Sequence, residues 1–93
     1  MTLPAESHSP DAAALQDALA AELRAVQAVA NVKVRAWAEN IPVSPDSVYR
    51  VLRGQRPVSV IELILLCDAI KEDPLDLITR AVNRAALSGA TRQ

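Results

Sequence analysis

Apolar side chains recur every three or four positions along most of this chain, and polar breaks divide the pattern into five segments. Leu15, Leu19, Leu23, Val26 and Ala30 form one stripe and predict a helix over about 11–30. Ser9 reads as its hydroxyl cap and Pro10 as its first helical position. Asp11 and Asp17 fall in its N-terminal half, where the helix dipole favours acids, and Glu22 lies just past its middle. Val34, Trp37 and Ala38 make the inner face of a short helix over about 33–40. Ile41-Pro42-Val43 interrupts it, because proline disfavours helical geometry in the residue before it. Ser44-Pro45-Asp46 starts a third helix, about 45–53, which Gly54 ends by taking the left-handed conformation. Ser59 and Glu62 form a capping box that opens a fourth, about 60–71. Asp73-Pro74 opens a fifth, about 74–87, which stops before Gly89. Residues 1–10 are polar, aperiodic and carry two prolines, so they read as a flexible arm. Residues 89–93 read as a flexible tail, which leaves one domain over 11–88.

Composition settles the class. Alanine, the best helix former, fills much of the 51% apolar content, and only two glycines occur in 93 residues. Aromatics are limited to Trp37 and Tyr49. The expectation is an all-α chain whose 10.0 kDa builds one modest core. Cys67 is alone, which excludes an intrachain disulfide and fits a reducing cytoplasm. His8 and Cys67 are too few for a transition-metal site. The chain shows neither a membrane-length apolar run, nor a signal-peptide pattern, nor a phosphate-binding glycine loop, nor a nucleophile elbow. Neither an enzyme nor a cofactor or small-molecule ligand is expected.

A short helix, a turn of three or four residues and a second short helix form the helix-turn-helix layout. The stretch VKVRAWAENIPVSPDSVYRVLRGQRPVS resembles, without a gap, the Cro/repressor-type (XRE) helix-turn-helix family of phage and bacterial transcriptional regulators. The residues that carry the resemblance are Ala38, small where two helices approach, Val43-Ser44 before the third helix, and the core positions Val48 and Val51. The basic turn Arg53-Gly54-Gln55-Arg56 follows, and Leu63, Leu66, Ala69, Ile70 and Asp73-Pro74-Leu75-Asp76-Leu77-Ile78 look like the last two helices. The likeness covers about 15–80 and implies a compact five-helix, lambda-repressor-like domain.

That resemblance implies that the third helix lies in the DNA major groove, with Pro45, Asp46, Ser47, Tyr49 and Arg50 as base contacts. Arg50 can fork onto guanine O6 and N7, and Asp46 can accept from cytosine N4. Pro45 offers only apolar contact. The competing reading makes Pro45 and Asp46 ordinary first-turn residues and Arg50 a solvated charge. Overall charge is −1, yet the segment 24–56 holds six cations against Glu39 and Asp46, a net +4, so the remainder carries −5. Lys33, Arg35, Ser44, Arg53, Gln55 and Arg56 would then flank the groove and hold phosphates.

In and before the turn two positions depart from the family pattern in ways that bear on DNA contact: Val34 stands where a phosphate-touching glutamine is common, and Pro42 replaces the turn glycine. Trp37 replaces a core leucine and is expected to anchor the core, and Cys67, which follows Leu66 on the fourth helix and replaces a small core residue, is expected to be buried. That helix is unusually apolar. Positions 60, 63, 66, 67 and 70, with 64 sharing, would serve the core and leave Ile61 and Leu65 outside. A second stripe on the fifth helix holds Leu75, Ile78 and Val82. Self-association through these residues would give a two-fold dimer on a near-palindromic operator, unless the arm or the first helix covers them. The expected function is a DNA-binding repressor acting by promoter occlusion in a bacterial cytoplasm. The alternative is a protein-binding module or antitoxin that keeps the fold.

Overall fold

The computed structural model describes residues 11–91, with side chains to residue 87. Asp11, rather than Ser9, caps the first helix, and its carboxylate accepts from the Ala14 N–H at 2.7 Å. Ser9 and the arm at 1–10 lie outside the described residues. The described residues form five helices: α1 (Ala12–Ala30), α2 (Val34–Ala38), α3 (Pro45–Leu52), α4 (Val60–Ala69) and α5 (Pro74–Thr91). No strand occurs among the described residues. The all-α, five-helix architecture is the one the apolar periodicity predicts.

The local signals act largely as their chemistry dictates. Ser44 caps α3 by accepting from Ser47 N–H, with Pro45 at the first helical position. Ser59 and Glu62 cap α4 reciprocally at 3.1 Å each way. Asp73 accepts from Leu75 N–H at the start of α5. Helices α1, α3 and α4 each end in the paired Schellman bonds, with Asn31, Gly54 and Lys71 in the left-handed region. Gly54 was the expected one. Lys71 ends α4 two residues early, and as a non-glycine residue it carries a positive φ of 60°.

The fifth helix corrects the expected stop. It runs through Gly89 to Thr91, past the tail expected at 89–93 and the domain limit at 88, with 92–93 outside the described residues. One helical glycine costs only about 1 kcal/mol relative to alanine, too little to end a helix among good helix formers.

The core gathers Leu23, Val34, Trp37, Val48, Leu52, Leu63, Leu66, Cys67 and Leu77, so all five helices contribute. A smaller seam of Ala18, Ala81 and Ala85 lets α1 and α5 lie close together. Trp37 is buried as expected, and its indole N–H donates to the Leu66 carbonyl at 2.8 Å. That carbonyl is left over because Ile70 N–H turns to Cys67 instead. Burial pushes the Cys67 thiol up to about 11, which keeps it protonated. Val60 and Ile64 do not serve the core: both are exposed, so the first turn of α4 overhangs it. Leu65 and Ile78 are half-buried against the core instead of free for self-association.

Glu22 joins α1 to α5. Its buried carboxylate accepts from Arg80 and Arg84, both at 3.0 Å, and Arg80 also reaches Glu72 at 2.8 Å. Burial pushes Glu22 up, but the two guanidiniums outweigh it and hold the carboxyl below 4.5. The Arg56 fork lowers Glu62 in the same way, helped by the Ser59 N–H.

Two outcomes follow from these contacts. Trp37→Phe leaves the Leu66 carbonyl buried and unpaired, and chemical denaturation should show a loss of about 1–3 kcal/mol; an unchanged midpoint would dismiss the bond as a stabiliser. Both depressed carboxyls bind protons more readily in the unfolded chain, so their stabilisation is complete above about pH 5. It is lost as pH falls below 4.5 through their folded values. Thermal melts of Glu22→Gln should show a flatter acid decline than the parent chain, and parallel curves would refute the assignment.

Candidate nucleic-acid interface

Helix α3 is two turns long and presents two contrasting faces. Val48, Val51 and Leu52 are buried, while Asp46, Tyr49, Arg50 and Arg53, spaced by three and four, share the exposed face. Pro45 and Ser47 are half-buried on its flank. Arg53 lies over the Tyr49 ring, 5.2 Å from its centroid, so the guanidinium orders the one aromatic on this face. Arg50 is exposed and makes no ion pair among the described residues.

The structure sorts the expected phosphate contacts into two groups. Lys33, just before α2, and Arg35 within it are exposed, as are Ser44, Arg53 and Gln55. The Ser44 oxygen accepts from Ser47 N–H and keeps its own hydroxyl hydrogen for an outside acceptor. Arg56 already has partners within the chain. Its Nε donates to the Ser47 carbonyl at 3.3 Å, and Nη1 to the Pro57 carbonyl at 2.9 Å. Nη1 and Nη2 fork onto Glu62 at 3.1 and 3.4 Å. One N–H of its five is left, and Glu62 neutralises its charge. Arg24, counted in the basic stretch, donates to the Leu52 carbonyl at the end of α3. Lys33, Arg35, Arg50 and Arg53 keep every side-chain N–H clear of backbone and carboxylate partners among the described residues. Arg24, also exposed and outside any ion pair among the described residues, has one N–H on that carbonyl.

Helix α1 grips the end of α3 along one of its stripes. Gln16, Ala20 and Arg24 recur every four residues, and Gln16 Nε2 donates to the Gly54 carbonyl at 2.8 Å. Gly54 has φ 73°, and a Cβ there would sit 3.1 Å from the Asp17 carboxylate and 4.0 Å from Ala20 Cβ. The two departures from the family pattern are absorbed locally. Val34 is buried in the core. The turn at Pro42 needs no positive φ, because Ile41 N–H bonds to the Ala38 carbonyl and its side chain is buried. Sequence reasoning missed the roles of Gln16, Arg24 and Arg56, whose partners lie up to 38 positions away.

A helix-turn-helix domain family matches residues 18–81, most of the chain, and the match contains α2, the turn and α3 whole. The chain belongs to the helix-turn-helix domain family. The fold of this helix-turn-helix domain is also similar to the clp gene regulator ClgR from Corynebacterium glutamicum. One ClgR structure superposes with a TM-score of 0.76 at 33% identity, covering 84% of this chain and 83% of that one. A second ClgR structure gives 0.69 at 32% identity, covering 76% and 91%. Comparison with curated proteins gives no match. The Cro/repressor-type resemblance read over 15–80 overlies the matched segment.

Gly54→Ala tests the grip on α3. The left-handed backbone should cost about 1–2 kcal/mol for an L-side chain, while the Asp17 carboxylate, at the end of a flexible side chain, can move aside. Urea denaturation of Gly54→Ala and of Gly54→Ala with Asp17→Ala should therefore give similar losses. Full recovery in the double variant would place the cost in the contact and not in the backbone.

Proposed function

We propose that this chain is a sequence-specific, double-stranded DNA-binding transcriptional regulator that reads its operator with α3. The supporting observation is the exposed Asp46–Tyr49–Arg50–Arg53 face on the second helix of a helix-turn-helix, flanked by exposed Lys33 and Arg35. ClgR, similar in fold, regulates clp genes, and regulation of transcription extends naturally to this chain. Arg50 would choose sequence by forking onto guanine, with Asp46 accepting from cytosine and Pro45, Ser47 and Tyr49 adding contact. Lys33, Arg35, Ser44, Arg53 and Gln55 would set affinity and register on the phosphates.

The finer reading is a phage or prophage repressor that works in the cytoplasm by covering a promoter. A homodimer would place two copies of α3 about 34 Å apart, one turn of DNA. Ile61, Leu75 and Val82, all exposed, are the side chains for that association, with Leu65 and Ile78 at its margin. A second reading, a protein-binding module or antitoxin, is favoured by the exposed aliphatic cluster Val60, Ile61 and Ile64 on α4.

Fluorescence anisotropy of a generic duplex at about 50 and 200 mM salt separates the two readings. Phosphate anchoring by a pair of protomers should give a log–log slope of about −4 to −6. Arg50→Glu should abolish binding while leaving a protein partnership intact. Failure to bind at low salt and high micromolar protein would remove the DNA reading and leave the protein-binding one.

A further inference from the structure

We infer that Arg24 and Arg56 are positioning residues that fix the two ends of α3 for reading, and that neither neutralises a phosphate. The inference rests on the DNA-binding reading and assigns two cations of its basic segment to a different task. A helix of eight residues is marginal alone and takes its orientation from its neighbours. Arg56 supplies that orientation at the first turn, where it joins the Ser47 carbonyl to the Glu62 carboxylate and so to the start of α4. Its side chain is 23% exposed, and a planar fork serves several acceptors at once. Arg24 supplies it at the last turn, where the Leu52 carbonyl falls among those a helix end leaves unpaired. A cation there also complements the negative end of the α3 dipole. Gln16, two turns earlier on α1, holds the Gly54 carbonyl beyond it.

Arg50 projects from between these two anchors and Asp46 from the residue just before the first, so a tilt of α3 moves both relative to base edges. Loss of an anchor therefore weakens discrimination, whereas loss of a phosphate ligand weakens all sequences alike and lowers the salt slope. The two roles separate in one experiment. The probes are a duplex enriched from a randomised pool by the full chain and a shuffled duplex of equal length. Each variant is first checked for the parent helical signal and a cooperative melt.

Arg24→Gln and Arg56→Lys should each lower the ratio of the two affinities about tenfold, the cost of one mismatched base pair. Their salt slopes should equal that of the parent chain, and Arg56→Ala, if folded, should behave like Arg56→Lys. A slope smaller by about 0.9 per bound protomer in Arg24→Gln or Arg56→Ala would overturn the inference, since that is one phosphate lost from each. So would parent-like discrimination in Arg56→Lys, where charge is kept and the fork removed. If the pool enriches nothing and neither duplex binds, the DNA-binding reading falls and takes this inference with it. If the parent chain binds and discriminates but the variants match it, only the positioning role falls.

Discussion

Carbonyl groups stranded at helix ends are the constraint around which this small domain is assembled. A helix leaves its last carbonyls without intrahelical donors, and burying them unpaired costs about 1–3 kcal/mol each. Here donors from other elements reach them. Trp37 takes Leu66 at the end of α4, Arg24 takes Leu52 at the end of α3, and Gln16 takes Gly54 just beyond. Each bond thus satisfies a backbone group and joins two elements. With five helices and one modest core, that double use gives short helices defined positions, which dispersion among alanines alone would not.

The acidic remainder of the chain fits the same logic. Glu22 is buried between α1 and α5, yet two arginines from α5 meet both of its oxygens. Glu62 caps its own helix and, through Arg56, holds the neighbouring one. Formal charge alone misleads here: the Arg56 charge is met by Glu62, so the basic face is smaller than the sequence total suggests, while Arg24 stays exposed with one N–H on the Leu52 carbonyl.

Features confined to a few consecutive residues were legible beforehand. Ser44, the Ser59–Glu62 box and Gly54 act through hydrogen bonds to neighbours three or four positions away, so residue type and spacing suffice. The core role of Trp37 was legible from its place in the stripe, but its indole bond was not, because the partner lies 29 residues on. Lys71 reverses the chain without the glycine that usually announces such a reversal, and Gly89 sits in a helix that sequence chemistry ended before it. Of the candidate site, the residues of α3 were carried over by position from the Cro/repressor-type resemblance, and of these Asp46, Tyr49 and Arg50 are exposed. Arg56 did not, since only the folded arrangement brings Ser47 and Glu62 to one guanidinium.

The chain's two large aromatics are divided between its two working regions. Trp37 is sealed in the interior with its N–H bonded, while Tyr49 stands 41% exposed under Arg53. The protein therefore carries a built-in pair of optical labels. Indole emission excited beyond the phenol absorption band follows the integrity of the packed interior, whereas phenol emission, part of which the indole collects by energy transfer, follows the exposed face and its ligands. A titration read in both bands distinguishes a molecule that has engaged a partner from one that has begun to unfold.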